Sequence, residues 1–507
     1  MDLREKIDGF AERHLPREPE VWCRRYLNKP KIIHDGLWGT FELQSHEVAL
    51  LDTPLLQRLR YLHQTGAVYL TYPSAHHTRF EHTLGALCQI GRLCQALRGP
   101  YYKPDRRIDE SVENDARFAA LLHDTGHGPF SHTSEQYFSA LDEIVEFQEN
   151  PWFQHSGAGE ILSYLIVCSK PFQQFVSALN QTHKLGIDFD RVAKMISGTM
   201  PDDKMYMSEL IHGPFDADKL DYMPRDGMFS GLRMHVDIDR LYHSIKIKCA
   251  RPNGQDQTRI AGDTRGLSPL MQIMFNKMLL YTGMYHHHKV RAVDCMLWAV
   301  FQLAMERKVK VGGVRLECPV DFLELTDDRL LTPELAEDAD IQEIIWKIRN
   351  RGLWKKALVI ARNTVPESMH NDAGASPYPL FAGVATLAGN AQAKILERRK
   401  VAINIWEAAG KPCKDYEVWL DVPKPPSMDE SKQMWIDAPG QHSPKILNDF
   451  IPVQQWVELY GMHQSRAHVY CPAEVGETVG KAAEKVFGEL FHLEFLPQAR
   501  AYAAGNA

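Results

Sequence analysis

Residues 115–132 read DARFAALLHDTGHGPFSH. The stretch opens as an apolar helix, with Ala116, Phe118, Ala119, Ala120, Leu121 and Leu122, and ends in two adjacent polar residues, His123 and Asp124. A helix hydrophobic nearly all round is a buried helix. Burying a carboxylate costs several kcal/mol unless a cation or hydrogen bonds compensate it. A divalent metal provides that compensation, and imidazole nitrogen with carboxylate oxygen suits Mn, Fe, Zn, Co or Ni. Glycines and a proline then turn the chain through Thr125-Gly126-His127-Gly128-Pro129 toward Ser131-His132.

Two further polar residues interrupt apolar helical patterns. His82 lies in RFEHTLG and Asp218 in FDADKLDY. With His123 and Asp124 they make a set of two imidazoles and two carboxylates, which leaves metal positions open for water and substrate. Asp218, Tyr222 and Asp226 stand at i, i+4 and i+8, so on a helix they share one face. Pro224 falls between the last two and is expected to kink that helix. Arg79 and Lys219 would ordinarily be solvated surface charges; beside a metal they become phosphate ligands. The run His286-His287-His288 is not read as a metal site, because consecutive helical residues point ~100° apart.

Around this centre the chain reads as mostly α. Residues 79–98 place Leu84, Leu87, Gly91 and Cys94 on one stripe, and an uninterrupted helix is expected from about Pro269 to Lys308. KIIHDGLWGTFEL at 31–43 suggests a β-hairpin turning at Asp35-Gly36, and IKIKCARPNGQDQTRIAG suggests a second turning near Asn253-Gly254. Past about 310 the texture mixes helical DIQEIIWKIRNRGLWKKAL with strand-like EVWLDV and AHVYC. The expected organisation is an N-terminal arm (1–30), a helical body with small hairpins (31–310), and a smaller α+β region (311–507).

The 507 residues are 44% hydrophobic and 24% charged, with a formal net charge of −7. That composition belongs to a soluble globular protein and announces neither a nucleic-acid coat nor an anionic membrane partner. No apolar run reaches the ~20 residues of a membrane helix. MDLREKIDGFAERHLPREPE lacks a signal-peptide core and reads as a short helix ending near Pro16. Nine scattered cysteines without a C-x-x-C pair fit reduced thiols and a cytoplasmic setting.

DTPLLQRLRYLHQTG, PSAHHTRFEHTLG, LLHDTGHGPFSH, FDADKLDYMPRD and YHHHKVRAVDCM together resemble the HD superfamily. Within it, residues 30–300 resemble the sterile-alpha-motif/HD-domain dNTP triphosphohydrolases, here with no sterile-alpha-motif domain before the core. The G-Y-P signature of HD cyclic-dinucleotide phosphodiesterases and the H-D-x-x-E-D of alarmone hydrolases are not the pattern here. The resemblance implies an HD-domain helical core with His82, His123, Asp124 and Asp218 as metal ligands. It implies His127, His132 and His155 as catalytic-pocket histidines, and Arg79, Lys219, Tyr222 and Lys277 on the triphosphate. Gln64 and Asp226 would meet the sugar 3′-hydroxyl, and Tyr285 would lie beside the sugar and base.

The expected activity is hydrolysis of a deoxynucleoside triphosphate to deoxynucleoside and triphosphate, by attack of metal-activated water at the α-phosphorus. His132 is the expected acid, and Mg accompanies the triphosphate. The alternatives are an HD phosphatase or phosphodiesterase acting on other nucleotides or nucleic-acid ends, or a nucleotide-sensing module without turnover. No basic stripe with interleaved aromatics supports nucleic-acid binding. The relatives' assembly implies a homo-dimer or homo-tetramer, and Lys31, Asp52, Gln57 and Arg60 keep the pattern of an activating-nucleotide pocket. Departures from the family are Lys277 for Arg, Ser156 for Glu, Thr65 for Leu, and Trp38 where relatives often have His.

Overall fold

The computed structural model describes residues 2–98, 108–154, 156–251, 254–370, 382–389, 392–424, 427–441 and 443–500. Among them α-helices dominate, and the β-structure is confined to four small sheets. The centre of the fold is the pair of helices Arg79–Leu97 and Glu110–Leu122, with Ala217–Ser230 packed on the first of them. Leu87, Ile90, Phe118, Ala119, Leu121 and Leu122 are completely buried between these helices and their neighbours. Thr78 caps the first helix in a box with Glu81, and Asp109 caps the second by accepting from the Val112 amide at 2.8 Å.

The first hairpin forms as read: Lys31–Asp35 pairs antiparallel with Gly39–Leu43. In the second, Ile245–Ala250 pairs antiparallel with Gln257–Asp263; Asn253 of its expected turn lies outside the described residues. Trp435–Asp437 adds parallel to that hairpin and Lys445–Ile446 adds beyond it, making four strands. A three-stranded antiparallel sheet carries Lys355–Ile360, Ala467–Cys471 and Trp419–Asp421, with the first and last of these flanking the middle one. A second apolar core, including Leu358, Ile405, Val469, Val479 and Phe487, lies against this sheet. The main core also takes in Trp419, Met434, Ile436 and Tyr470 from the same C-terminal half.

Three local expectations are corrected. The helix Ala217–Ser230 runs through Pro224 without interruption; Arg225, just past the proline, is bonded to Asp221 and Asp35. The long helix does not continue from 269 to 308. It runs Leu267–Leu280, widens into a π-helical turn at Tyr281–Tyr285, and restarts as His288–Glu306. The His286 amide donates to the Tyr281 carbonyl at 2.8 Å, the i→i+5 bond of such a turn. In DIQEIIWKIRNRGLWKKAL the helix stops at Arg349, and Lys355 onward is strand, because β-branched and apolar residues there fill the second core.

Candidate metal centre and its cavity

His82 enters the site from the first turn of its helix and is fully buried. Its Nδ1 faces Asp221 Oδ2 at 2.8 Å, so its Nε2 is left to look at His123 Nε2 (3.2 Å), Asp218 Oδ1 (3.0 Å) and Asp124 Oδ2 (3.7 Å). His123 is oriented the same way, with Nδ1 donating to the Ala120 carbonyl at 2.8 Å. Its Nε2 lies 3.4 Å from Asp124 Oδ1 and 3.7 Å from Asp218 Oδ1. The ligand atoms of His82, His123 and Asp124 fall within 4.8 Å of one another. Outer hydrogen bonds that fix the ring and its tautomer are the usual support of a metal-binding imidazole.

The electrostatics show a donor set that demands a cation. Burial disfavours a charged His82, yet hydrogen bonds to Asp218 and Asp221 outweigh it and push the imidazole up to about 10. Burial likewise opposes ionised Asp124, but Arg79 and the neighbouring histidines hold its carboxyl far below the usual range. The carboxylates therefore draw positive charge into the pocket. A divalent ion meets that demand while both imidazoles stay neutral ligands, so the residues present fit a metal.

Asp221 was not singled out by the sequence, where it reads as one more charge on a helix. It is completely buried, accepts from Arg225 Nε and Nη2 at 2.9 Å each, and receives Trp38 Nε1 at 2.5 Å. Gly85 makes room for it: a Cβ there would stand 1.9 Å from Asp221 Oδ1. The Asp124–Ser131 loop is held from outside by buried Arg58, whose Nη2 donates to the carbonyls of Thr125 and His127 at 2.7 Å each. Gly126 passes so close to the helix Ala158–Cys168 that a Cβ would lie 2.1 Å from the Gly159 carbonyl. Phe130 and Ser131 both adopt positive φ, 56° and 52°, conformations that need support from their surroundings. That support is visible: the Phe130 amide donates to Asp327 at 2.7 Å, and Ser131 Oγ donates to the His63 carbonyl at 2.6 Å.

A cavity of about 430 Å³ opens beside the metal ligands. Gln64, Arg79, His123, Asp124, His127, His132, Asp218, Lys219, Tyr222, Asp226 and Tyr285 all line it. Arg79 reaches Asp124 with Nη1 at 2.7 Å and Ser131 with Nε at 2.8 Å, leaving Nη2 buried and unpaired. Gln64 Oε1 is also buried without a partner. Lys219 Nζ is held by Asp216 at 2.6 Å and the Gly213 carbonyl at 3.0 Å. Asp226 receives His77 Nε2 at 2.7 Å and the Tyr285 hydroxyl at 2.5 Å.

His127 and His132 meet edge to face, ring centres 5.3 Å apart, with Glu135 between them. Glu135 Oε2 lies 2.7 Å from His132 Nδ1 and 3.6 Å from His127 Nδ1, while Oε1 accepts from the Gly159 amide at 2.9 Å. Burial, with Arg79 close by, pushes the His127 imidazole down to about 3. It is a neutral group at working pH, whereas the His132 side chain is 69% exposed. Glu135 is the second residue that sequence reasoning missed; its place one turn after His132 was the available signal.

One expected residue lies outside the described residues and another stands away from the cavity. His155 lies outside the described residues. Lys277 does not line the cavity; its buried ammonium is paired with Glu430 Oε1 at 2.5 Å. His286 lines the cavity wall, while His287 and His288 stack on each other, ring centres 4.5 Å apart, outside it. Of the residues expected around an activating nucleotide, Lys31 pairs with Asp52 at 2.6 Å, and Arg60 donates to Gln57 at 2.8 Å.

Residues 79–223 match the family described as HD domain, and residues 236–490 match the HD associated region. The deoxynucleoside triphosphate triphosphohydrolase SAMHD1 of Homo sapiens is 28% identical over 356 residues, covering 65% of this chain and 55% of that protein. The SAMHD1 homolog of Dictyostelium discoideum is 26% identical over 332 residues, covering 64% and 59%. The chain thus spans under two thirds of the length of these relatives. The crystal structure of a hypothetical protein from Aquifex aeolicus shares the fold, with a TM-score of 0.61 at 21% identity over 89% of this chain and 99% of the other. With the HD-associated region matched over half its length and the HD domain before it, this chain belongs to the HD-domain family that carries an HD-associated region.

Proposed function

We propose that the protein is a metal-dependent phosphohydrolase that splits deoxynucleoside triphosphates into deoxynucleoside and triphosphate. The observation that carries this reading is one cavity lined by His123, Asp124 and Asp218, with His82 buried against Asp218, together with unpaired Arg79 Nη2 and the polar row Asp218, Tyr222 and Asp226. A metal-only site would need no such row, which at ~1.5 Å of helical rise per residue extends about 12 Å from the metal ligand Asp218 to Asp226. The relatives named above as deoxynucleoside triphosphate triphosphohydrolases support the same substrate class.

His82, His123, Asp124 and Asp218 would hold the ion, which when bound supplies Lewis acidity toward water and phosphoryl oxygen. Arg79 and Lys219 place positive charge where the triphosphate lies, and a buried guanidinium does so with little screening. His132 gives its proton to the departing 5′-oxygen, a poor leaving group without one. Glu135 holds the His132 ring from Nδ1, which directs Nε2 at the cavity. His127, kept neutral, offers a hydrogen bond and no added charge. Tyr285 and Asp226 form the floor on which the sugar would rest, and Gln64 brings an unpaired carbonyl oxygen to the same wall.

Asp124→Ala tests the assignment. It should abolish both bound metal and hydrolysis while the fold persists, as read by elemental analysis, turnover and circular dichroism. Full metal content in the folded variant would remove Asp124 from the ligand set and the mechanism with it.

A further inference from the structure

Beside the first donor set stands a second group with metal-ligand chemistry. The ligand atoms of His127, His132 and Glu135 lie within 4.8 Å of one another, and all three residues line the cavity. One glycine fixes two of them. The Gly159 amide holds Glu135 Oε1 at 2.9 Å, and the His127 ring packs so close that a Cβ on Gly159 would stand 2.9 Å from its Cε1. Glu135 Oε2 and His127 Nδ1 are thereby set 3.6 Å apart, too far for a hydrogen bond.

His127 is 6% exposed, and its Nδ1 has no hydrogen-bond partner. Its Nε2 lies 3.4 Å from Asp124 Oδ1, which places the ring N–H on that side. The Nδ1 lone pair is then turned toward a carboxylate oxygen. Buried acceptors are nearly always paired, so two that face each other call for a cation between them. Their spacing is close to the ~3.4 Å between two ligands of a tetrahedral zinc with bonds of ~2.1 Å. Two imidazoles and a carboxylate are a zinc donor set that keeps a fourth position for water. Asp124 behind His127 and the Gly159 amide behind Glu135 are the outer bonds that orient such ligands. Only His132 has to move: its Nδ1 is 2.7 Å from Glu135 Oε2, and its 69% exposed side chain is free to open that distance.

We propose that His127, His132 and Glu135 bind a second divalent ion of zinc-like chemistry, which inhibits turnover by capturing the proton donor. The ion shares no ligand with the centre at His82, His123, Asp124 and Asp218. Binding releases the Nδ1 proton of His132 to solvent and puts the metal in its place. The metal-bound ring keeps its Nε2–H only as a far weaker acid than an imidazolium. The inhibition rests on the proton transfer assigned to His132 under the proposed function; the binding does not.

Zinc held per chain, counted by titration against a chelator, reads the site without turnover. Wild type is expected to hold one equivalent more than His132→Ala and one more than Glu135→Gln. His132 is exposed, so its replacement leaves the fold intact. Equal zinc counts in wild type and His132→Ala would overturn the site. In an assay with Mn and dATP, added zinc should slow wild type, and Glu135→Gln should need roughly 100-fold more zinc for the same fractional loss. Equal zinc sensitivity in the two proteins would place the inhibition at the first centre and overturn the inhibitory role. Absence of dATP turnover in both would defeat the substrate reading alone, and the zinc count would still decide the site.

Discussion

Asp221 holds His82 by its Nδ1 at 2.8 Å while Arg225 and Trp38 hold Asp221 in turn, so the metal-facing Nε2 is aimed by a chain of buried partners. Three polar groups are committed to the direction of one imidazole. Asp221→Asn keeps the shape but turns an amide N–H toward Arg225 or His82. Metal affinity, measured by competition with a chelator, should fall about 10- to 100-fold. Wild-type affinity in that variant would show that His82 is oriented by packing alone.

Glu135 gives a graded test of the proton donor. His132→Ala should lower kcat by roughly 10²–10⁴-fold with metal retained. Glu135→Gln removes the charge but keeps a hydrogen-bond acceptor, so its loss should be smaller, in kcat and not in KM, with the pH profile of kcat displaced. A normal profile in Glu135→Gln would reduce Glu135 to a structural residue.

Glu430 stands against Lys277 as a carboxylate where the family resemblance leads one to expect phosphate. Its other oxygen is buried and unpaired. Glu430→Gln leaves a buried ammonium without a counter-charge, and removing one partner of such a pair costs about 3–5 kcal/mol. The melting temperature should fall, and tripolyphosphate should raise it by more than it does in wild type, because an anion that reaches Lys277 stabilises the folded state alone. Equal ligand-induced shifts in the two proteins would separate Lys277 from the substrate.

His468 makes stability depend on pH. Its imidazole is held near 3 in the fold by burial, against ~6.5 in an unfolded chain. Below that value the unfolded chain takes up a proton the folded one refuses, so stability present above pH ~6.5 is lost as the pH falls. Between pH 7 and 5 the loss from this one group is about 2 kcal/mol. Denaturant unfolding should show a decline over that window that is shallower in His468→Gln by this amount. Identical slopes would mean that the imidazole titrates normally.

The mostly helical class and the centre at His123-Asp124 were legible because polar residues in apolar helices are costly and therefore conspicuous. Asp218, Tyr222 and Asp226 could be aligned from helical spacing, and all three line the cavity. Asp221 and Glu135 were invisible for the opposite reason: a carboxylate on a polar-looking turn reads as solvated until its neighbours are known. The break at Tyr281–Tyr285 has no proline to announce it, and a single added residue in a turn leaves the apolar pattern on either side intact. Lys277 was assigned through resemblance, and its partner lies 153 positions away in a segment that local pattern does not connect to it.

The central claim is that water attacks the α-phosphorus of a deoxynucleoside triphosphate with departure of the 5′-oxygen. Incubation with Mn and dATP in ¹⁸O-water, followed by anion-exchange chromatography and mass spectrometry, reads the cleaved bond. Unlabelled deoxyadenosine and triphosphate carrying one ¹⁸O are predicted. Deoxyadenosine monophosphate with pyrophosphate, or release of orthophosphate, would contradict the account.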